Sequence, residues 1–245
     1  MRNIKLLIEY DGTNYHGWQV QPNGLTIQEV IEKRIEVMTG EHVRLIASGR
    51  TDAGVHALGQ VANFRTSASI PVEGLWWGLN SLLPPDIVIQ SAEEVEAEFH
   101  AQHRVKRKTY RYLILNGKVP SAIYRNYSWH IPLPLDVSAM QDAAGMLLGK
   151  KDFSTFRAAD PDSNDAVREI FRAGWLMKEG NFLAFTIEAD GFLKYMVRNI
   201  VGTLVEVGKG KIRAEEFRRI LEARDRRQAG NTAPAQGLFL VEVIY

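Results

Sequence analysis

Two periodicities alternate along this chain, and they constrain its fold more than any other feature of the sequence. Near the start, Ile4, Leu6 and Ile8 recur at every second position, which is the spacing of a half-buried strand. Apolar residues then recur at helical spacing over 26–38, where Thr26 is well placed to act as the N-cap and Gly40 lies just beyond the end. Because both patterns return further along the chain, the fold has to pack helices against a sheet.

The two patterns define a complete set of predicted elements. Strands are predicted at 3–10, 42–48, 58–65, 86–93, 104–115, 126–131, 167–177, 182–189 and 237–245, and helices at 26–38, 72–80, 136–148, 191–207 and 214–223. Glu179-Gly-Asn181 predicts a hairpin turn between two of these strands. The order of elements is similar in residues 1–103 and 104–245. It favours an α+β fold with two halves that share a central, largely antiparallel sheet and leave a cleft between them.

Composition narrows the class of protein and the chemistry open to it. Apolar residues make up 45% and charged residues 24% of the chain, so a folded core is expected. The chain has no cysteine, which excludes disulfides, thiolate nucleophiles and cysteine-ligated zinc. No segment approaches the roughly 20 apolar residues of a membrane span, so a cytoplasmic location is expected.

A net charge of only +1 means that any nucleic-acid site has to be a local patch. Alternation places Lys106, Lys108, Tyr110 and Tyr112 on one face of a predicted strand. Ammonium groups can neutralise phosphates and aromatic rings can stack on bases, so this face suits RNA. An edge strand protected by lysines fits the same pattern equally well. A second basic patch contains Arg218, Arg219, Arg224, Arg226 and Arg227.

The loop between two predicted strands, Gly49-Arg-Thr-Asp-Ala-Gly-Val-His56, is the strongest candidate for chemistry. Its glycines allow an unusual backbone path, and loops on a rigid sheet often carry functional side chains. An ordinary turn, in which Asp52 bonds its own backbone, is the simpler interpretation on composition alone.

Two other candidates have simple structural alternatives. A metal site built from Asp11, His16, Asp52 and His56 lacks a compact ligand spacing, and a hydrogen-bonded packing role for His56 is simpler. Arg198 lies off the apolar stripe of its predicted helix, which usually indicates a solvated arginine. It could instead point into a cleft, towards a carboxylate or a phosphate.

Five segments in order resemble the tRNA pseudouridine synthase A family, and the resemblance runs nearly from end to end. The segments are Glu9-Tyr-Asp-Gly-Thr-Asn-Tyr-His-Gly-Trp-Gln19, Gly49-Arg-Thr-Asp-Ala-Gly-Val-His56, Lys108-Thr-Tyr-Arg-Tyr112, Met196-Val-Arg-Asn-Ile200 and Ala233-Pro-Ala-Gln-Gly-Leu238. The second segment, which contains Asp52, is the most specific. Lys194, Tyr195 and Gln236 stand where the family often has histidine or another polar residue, so the expected departures from the family are in local RNA contacts and not in the reaction.

The resemblance implies isomerisation of uridine to pseudouridine at positions 38, 39 and 40 of the tRNA anticodon stem-loop. It assigns catalysis to Asp52, contact with the carboxylate to Arg198, RNA contact to Arg50 and base stacking to Tyr110. Basic residues of the aromatic strand would then contact phosphates; they are Lys106, Arg107, Lys108 and Arg111. The family also implies a homodimer, no organic cofactor and no catalytic metal.

Two other functions remain open on the residues alone. A non-catalytic RNA-binding module could use the same basic and aromatic face, and it predicts that Asp52 is dispensable. A metal-dependent hydrolase would be inhibited by chelators. A carboxylate among phosphate contacts repels RNA, which weighs against a module that only binds.

Overall fold

A computed structural model describes residues 1–158 and 165–245 of the chain. The helices and strands in chain order are β1 (Arg2–Tyr10), α1 (Ile27–Thr39), β2 (Ile46–Ala47), β3 (His56–Thr66), α2 (Val72–Leu82), β4 (Ile87–Val95), β5 (Arg107–Leu115), β6 (Trp129–His130), α3 (Val137–Gly145), β7 (Gly149–Asp152), β8 (Val167–Lys178), β9 (Phe182–Ala189), α4 (Met196–Gly208), α5 (Ala214–Glu222) and β10 (Leu238–Ile244). Within the described ranges, no helix is long and apolar enough to cross a membrane.

The chain forms two compact units, one of residues 1–106 and 239–245 and the other of residues 107–238. Each unit combines helices with a sheet whose strands are mostly antiparallel. The predicted α+β fold class is therefore confirmed.

In the first unit, β1 lies between β3 and β4 and is antiparallel to both. β2 pairs with one end of β3, and β10 runs parallel to β3 where Phe239 faces His56. Ile4, Leu6 and Ile8 are fully buried, as the alternation in β1 predicted. The sheet holds the loops that follow β1 and β2 at neighbouring strand ends.

Local signals set the ends of α1. The Thr26 side chain accepts a hydrogen bond from the Glu29 amide, and Gly40 closes the helix with φ +70°. Both caps were predicted, and each satisfies backbone groups that a helix end leaves unpaired.

In the second unit, β5, β9, β8 and β7 form an antiparallel sheet in that order, and β6 pairs in parallel with the end of β5. The predicted hairpin joins β8 to β9, with Gly180 at φ +71° and Asn181 at φ +64°. Helix α4 is buried over most of its length, and α3 and α5 pack beside it.

Two predicted strands are far shorter in the structure. The strand predicted at 42–48 is reduced to Ile46–Ala47, because side chains of α1 bind the backbone before it. Glu32 accepts from the Leu45 amide at 2.8 Å, and Gln28 donates to the Leu45 carbonyl at 3.2 Å. The strand predicted at 126–131 is reduced to Trp129–His130, because a 3₁₀ turn precedes it and the Tyr127 amide and the Ser128 hydroxyl both donate to the Tyr124 carbonyl.

The boundaries of two further elements also differ. The helix predicted from 191 begins at Met196, because Tyr195 has φ +64°, a conformation that cannot continue a right-handed helix. The strand predicted from 104 begins at Arg107. Strand β7 was missed, because its Gly-Lys-Lys-Asp sequence has no apolar alternation.

Candidate active site

Asp52 lies in the loop between β2 and β3 of the first unit. Its main-chain carbonyl accepts a hydrogen bond from the Val55 amide at 3.1 Å, and Gly54 has φ +75°. The segment is therefore a turn, as its composition predicted, and this bond between main-chain atoms closes it. The Asp52 side chain is half-buried, while Arg50 on the same loop is exposed.

The loop that follows β1 clamps this turn by its main chain. The Trp18 amide donates to the Thr51 carbonyl at 3.1 Å, and the Gly54 amide donates to the Tyr15 carbonyl at 3.3 Å. Gly17 has φ +85°, and a Cβ there would lie 2.6 Å from the Thr51 carbonyl oxygen. The two loops thus approach each other more closely than side chains allow, which fixes the backbone on both sides of Asp52.

Buried polar side chains hold the same loop from beneath. The hydroxyls of Tyr10 and Thr51 are 2.7 Å apart, the Ser48 hydroxyl donates to Gln60 Oε1 at 2.7 Å, and Gln60 Nε2 donates to the Gly49 carbonyl at 2.9 Å. Burial raises the pKa of Tyr10 to about 12, so its hydroxyl stays protonated at neutral pH. Neither Tyr10 nor Gln60 was predicted to support this loop; the signal that the sequence offers is a glutamine inside an apolar strand.

His56 is a packing residue at the start of β3. It is only 1% exposed, and its ring stacks on Phe239 at 4.7 Å between centroids. Its Nδ1 accepts a hydrogen bond from the Gly12 amide at 3.1 Å, and Asp11 Oδ1 lies 3.0 Å from the same nitrogen. Across residues 1–158 and 165–245, no three His, Asp or Glu side chains are grouped closely enough to hold a metal ion.

Tyr110 and Tyr112 lie on one face of β5, as the alternation predicted. Tyr110 is buried, and its ring meets Phe192 edge to face at 5.0 Å between centroids. Tyr112 donates from its hydroxyl to the Pro234 carbonyl at 2.7 Å. β5 pairs with β9 along nearly its whole length.

The basic residues near β5 occupy different environments. Arg107 donates to Glu188 at 2.9 Å and stacks over Phe171 at 4.3 Å, while Lys106 is exposed and Arg111 is half-buried. Burial lowers the pKa of Lys108 to about 8, and the nearby charge of Arg168 adds to this effect.

Arg198 lies in the first turn of α4 and is half-buried, so it is not the solvated arginine that its helical position suggested. Its Nε donates to the Ala233 carbonyl at 2.8 Å. Its guanidinium carbon lies 5.1 Å from the centre of the Tyr195 ring. Contacts on two sides therefore fix the direction of this side chain.

Four of the five arginines of the second basic patch are exposed, and two of these four are paired with carboxylates. Arg224 pairs with Asp152 at 3.1 Å, and Arg227 pairs with Asp225 at 2.8 Å. Arg226 binds acceptors within its own unit. Arg218 and Arg219 present exposed side chains on α5.

The structure distributes the predicted site residues over both units. Asp52, Arg50 and Lys106 belong to the first unit. Tyr110 and Arg198 belong to the second unit. So do the other basic residues, which are Arg107, Lys108 and Arg111.

Comparison with known proteins identifies the family. The family model described as tRNA pseudouridine synthase matches residues 6–103 and 143–245. The chain is 54% identical to tRNA pseudouridine synthase A of Acetivibrio thermocellus and 51% identical to that of a Thermoanaerobacter species, and both alignments cover 100% of each chain.

Similarity to solved structures is much lower. A Cbf5-Nop10-Gar1 complex contains a chain that is 13% identical, with a TM-score of 0.37, and the match covers 96% of this chain and 57% of that one. That score adds nothing to the assignment. Because the family model matches most of the sequence and the relatives match all of it, this chain belongs to the tRNA pseudouridine synthase family, whose reaction is the isomerisation of uridine to pseudouridine in tRNA.

Proposed function

We propose that this isomerase acts on uridines 38, 39 and 40 of the tRNA anticodon stem-loop, with Asp52 as its catalytic carboxylate. The observation that carries the assignment is a half-buried carboxylate on a loop whose backbone is clamped on both sides. A reacting group gains most from a scaffold that fixes its position before the substrate arrives.

The reaction exchanges one bond of the nucleotide for another. The bond from C1′ to N1 breaks, the uracil turns, and C1′ joins C5; the hydrogen on C5 leaves as a proton while N1 gains one. A carboxylate suits this sequence, because it can attack as a nucleophile, accept a proton, or stabilise positive charge at the sugar.

The remaining site residues are proposed to hold the substrate. The target uridine has to leave its stack, which costs a few kcal/mol. Tyr110 would stack on the extruded base, and Arg50 would contact the RNA backbone. Contacts with RNA phosphates would offset the rest of this cost. The residues proposed to make them are Lys106, Arg107, Lys108 and Arg111.

Arg198 is proposed to act on Asp52 directly. A guanidinium beside a carboxylate favours its ionised form. The bond from Arg198 Nε to the Ala233 carbonyl supports this role, because it orients the terminal nitrogens of the side chain.

We further propose a cytoplasmic homodimer that needs neither an organic cofactor nor a catalytic metal. Of the two halves predicted from the sequence, residues 1–103 would carry the catalytic loop. Residues 104–245 would carry the aromatic strand and the arginine helix.

The first test is tritium release from tRNA labelled with [5-³H]uridine, in the presence of EDTA. We expect release, and we expect it to disappear when positions 38, 39 and 40 are all changed to cytidine. tRNA binding without release would contradict the isomerase and favour an RNA-binding module. Loss of activity in EDTA would favour a metal-dependent enzyme.

Lys108 makes substrate binding dependent on pH. Because its pKa is about 8 in the free protein, it loses its charge as the pH rises through 8, and a phosphate contact is lost with it. We expect kcat/KM, which reports groups of the free enzyme, to fall between pH 7 and pH 9 at constant ionic strength. In Lys108→Arg this fall in kcat/KM should vanish, because a guanidinium stays charged over the same pH range. Identical pH profiles of kcat/KM for Lys108→Arg and the wild type would contradict the phosphate contact proposed for Lys108.

Tyr110 is expected to act mainly through its ring. Tyr110→Phe should retain most tRNA affinity, whereas Tyr110→Leu should weaken it by roughly 5-fold to 150-fold, since stacking contributes about 1–3 kcal/mol per base. Filter binding at fixed salt measures both. Equal affinities for Tyr110→Leu and the wild type would rule out stacking on the base. A fall in kcat for Tyr110→Phe would assign the hydroxyl to proton transfer.

A further inference from the structure

Arg226, which the sequence placed in a basic patch, turns inward and binds four acceptors. Its guanidinium donates to the carbonyls of Gly230 at 3.0 Å and Ala229 at 3.4 Å. It also donates to Asn199 Oδ1 and Thr232 Oγ1, each at 3.0 Å. None of these four acceptors is a carboxylate. The side chain therefore shapes the loop before β10.

The same contacts tie this loop to one face of α4. Thr232 Oγ1 donates to Asn199 Oδ1 at 2.6 Å, and the Gly230 amide donates to Thr203 Oγ1 at 3.0 Å. Asn199 and Thr203 are four residues apart in α4, and both are fully buried. Asn199 Nδ2 donates in turn to the Phe156 carbonyl at 2.7 Å, which fixes the orientation of its amide. We call these residues the polar knot: Asn199, Thr203, Arg226, Gly230 and Thr232.

The loop leads from the polar knot directly to Arg198. The Ala233 amide donates to the Arg198 carbonyl at 3.1 Å, and Arg198 Nε donates to the Ala233 carbonyl at 2.8 Å. Ala233 thus holds the main chain and the side chain of Arg198 together. Since Nε is bound, the Ala233 carbonyl sets the direction of the other two guanidinium nitrogens.

We propose that Arg226 is a positioning residue for catalysis, which acts through Thr232 and Ala233 to aim Arg198. This inference rests on the role proposed for Arg198. Burial lowers the pKa of Arg226, which shows that its environment does not favour the charge. A planar guanidinium can reach four acceptors at once, and the point charge of a lysine cannot.

The test compares Arg226→Lys and Thr232→Val with the wild type in the tritium-release assay. We expect kcat to fall roughly 10-fold to 100-fold in Arg226→Lys, since a shift of about 1 Å at a catalytic group has effects of that order. KM for tRNA should change less than about 3-fold, because the proposal gives the polar knot the role of orienting Arg198 and not that of binding RNA. Thr232→Val should lower kcat in the same direction, and it keeps the proposal testable if Arg226→Lys does not fold. Arg213→Lys is the matched control, because Arg213 is exposed and pairs with Glu216 at 2.9 Å.

Two further measurements separate positioning from simple destabilisation. If Arg226 acts through Arg198, the double variant Arg198→Lys/Arg226→Lys should be no slower than Arg198→Lys alone. The acid limb of the kcat profile should also move to higher pH in Arg226→Lys, because a misdirected guanidinium stabilises the catalytic carboxylate less.

Any of three results would overturn the proposal while the wild type remains active. The first is an unchanged kcat in folded Arg226→Lys and Thr232→Val, and the second is a double variant in which the effects of Arg198→Lys and Arg226→Lys multiply. The third is an acid limb of the kcat profile that does not move in Arg226→Lys. Absence of tritium release from the wild type would instead refute the proposed function. The two failures are therefore distinguishable.

Discussion

Replacing Asp52 by asparagine is expected to lower tritium release from [5-³H]uridine-labelled tRNA by at least about 1,000-fold. The amide has nearly the same shape, but it is a weak nucleophile and a weak base, so each proposed role of the carboxylate is lost. The measurement is single-turnover release from tRNA at saturating protein, with EDTA present, which separates chemistry from binding.

Binding and folding provide the controls for this variant. tRNA affinity should stay the same or rise slightly, because the substitution removes a negative charge from a phosphate-rich complex. Asp142→Asn, on the exposed face of α3, should retain full activity. If Asp52→Asn released tritium at the wild-type rate, the catalytic carboxylate would have to be another residue.

Gly202→Ala is expected to have the largest effect on stability, lowering the free energy of unfolding by about 3 kcal/mol. Gly202 lies in α4, and a Cβ there would overlap the Asn231 carbonyl oxygen and lie 2.9 Å from its carbonyl carbon. These neighbours are backbone atoms, which cannot move aside by rotating about a side-chain bond. Relief requires the loop to move away from α4, so the contacts of Ala233 with Arg198 should weaken and activity should fall as well.

Urea unfolding measures the loss of stability in Gly202→Ala, and tritium release measures its loss of activity. Gly145→Ala is the matched control, because Gly145 ends α3 and nothing lies within 4 Å of a Cβ there. That variant should be unchanged or more stable by up to about 1 kcal/mol. An unfolding midpoint for Gly202→Ala equal to that of the wild type would contradict the close approach of this loop and helix.

Elements whose signals are local were predicted well from the sequence. The alternation of Ile4, Leu6 and Ile8 identified β1, and the caps Thr26 and Gly40 identified the ends of α1. The glycine turn at 179–181 identified the hairpin of β8 and β9. In each case, the residues that determine the conformation lie within a few positions of each other.

Two predictions were wrong at positions where the backbone leaves the predicted conformation. Leu45 lies in a predicted strand, but Glu32 and Gln28 of α1 bind its amide and its carbonyl. Tyr195 lies in a predicted helix, but its left-handed conformation delays the start of α4. Neither outcome has a periodic signal, so neither could be predicted from spacing.

The sequence by itself determined the family, the order of most elements and the identity of the loop that carries Asp52. Motifs are strings of neighbouring residues, so they need no knowledge of the fold. The catalytic role of Asp52 stays a prediction that the tritium assay decides.

Only the tertiary structure decided which polar residues hold the backbone beside Asp52 and beside Arg198. Gln60 and Arg226 resemble an ordinary strand residue and one member of a basic patch in the sequence. In the structure, Gln60 binds the main chain of Gly49, 11 residues away, and Arg226 binds Asn199, 27 residues away. A buried polar group has to find its hydrogen-bond partners wherever the chain brings them. Those partners exist only once the strands and helices have packed.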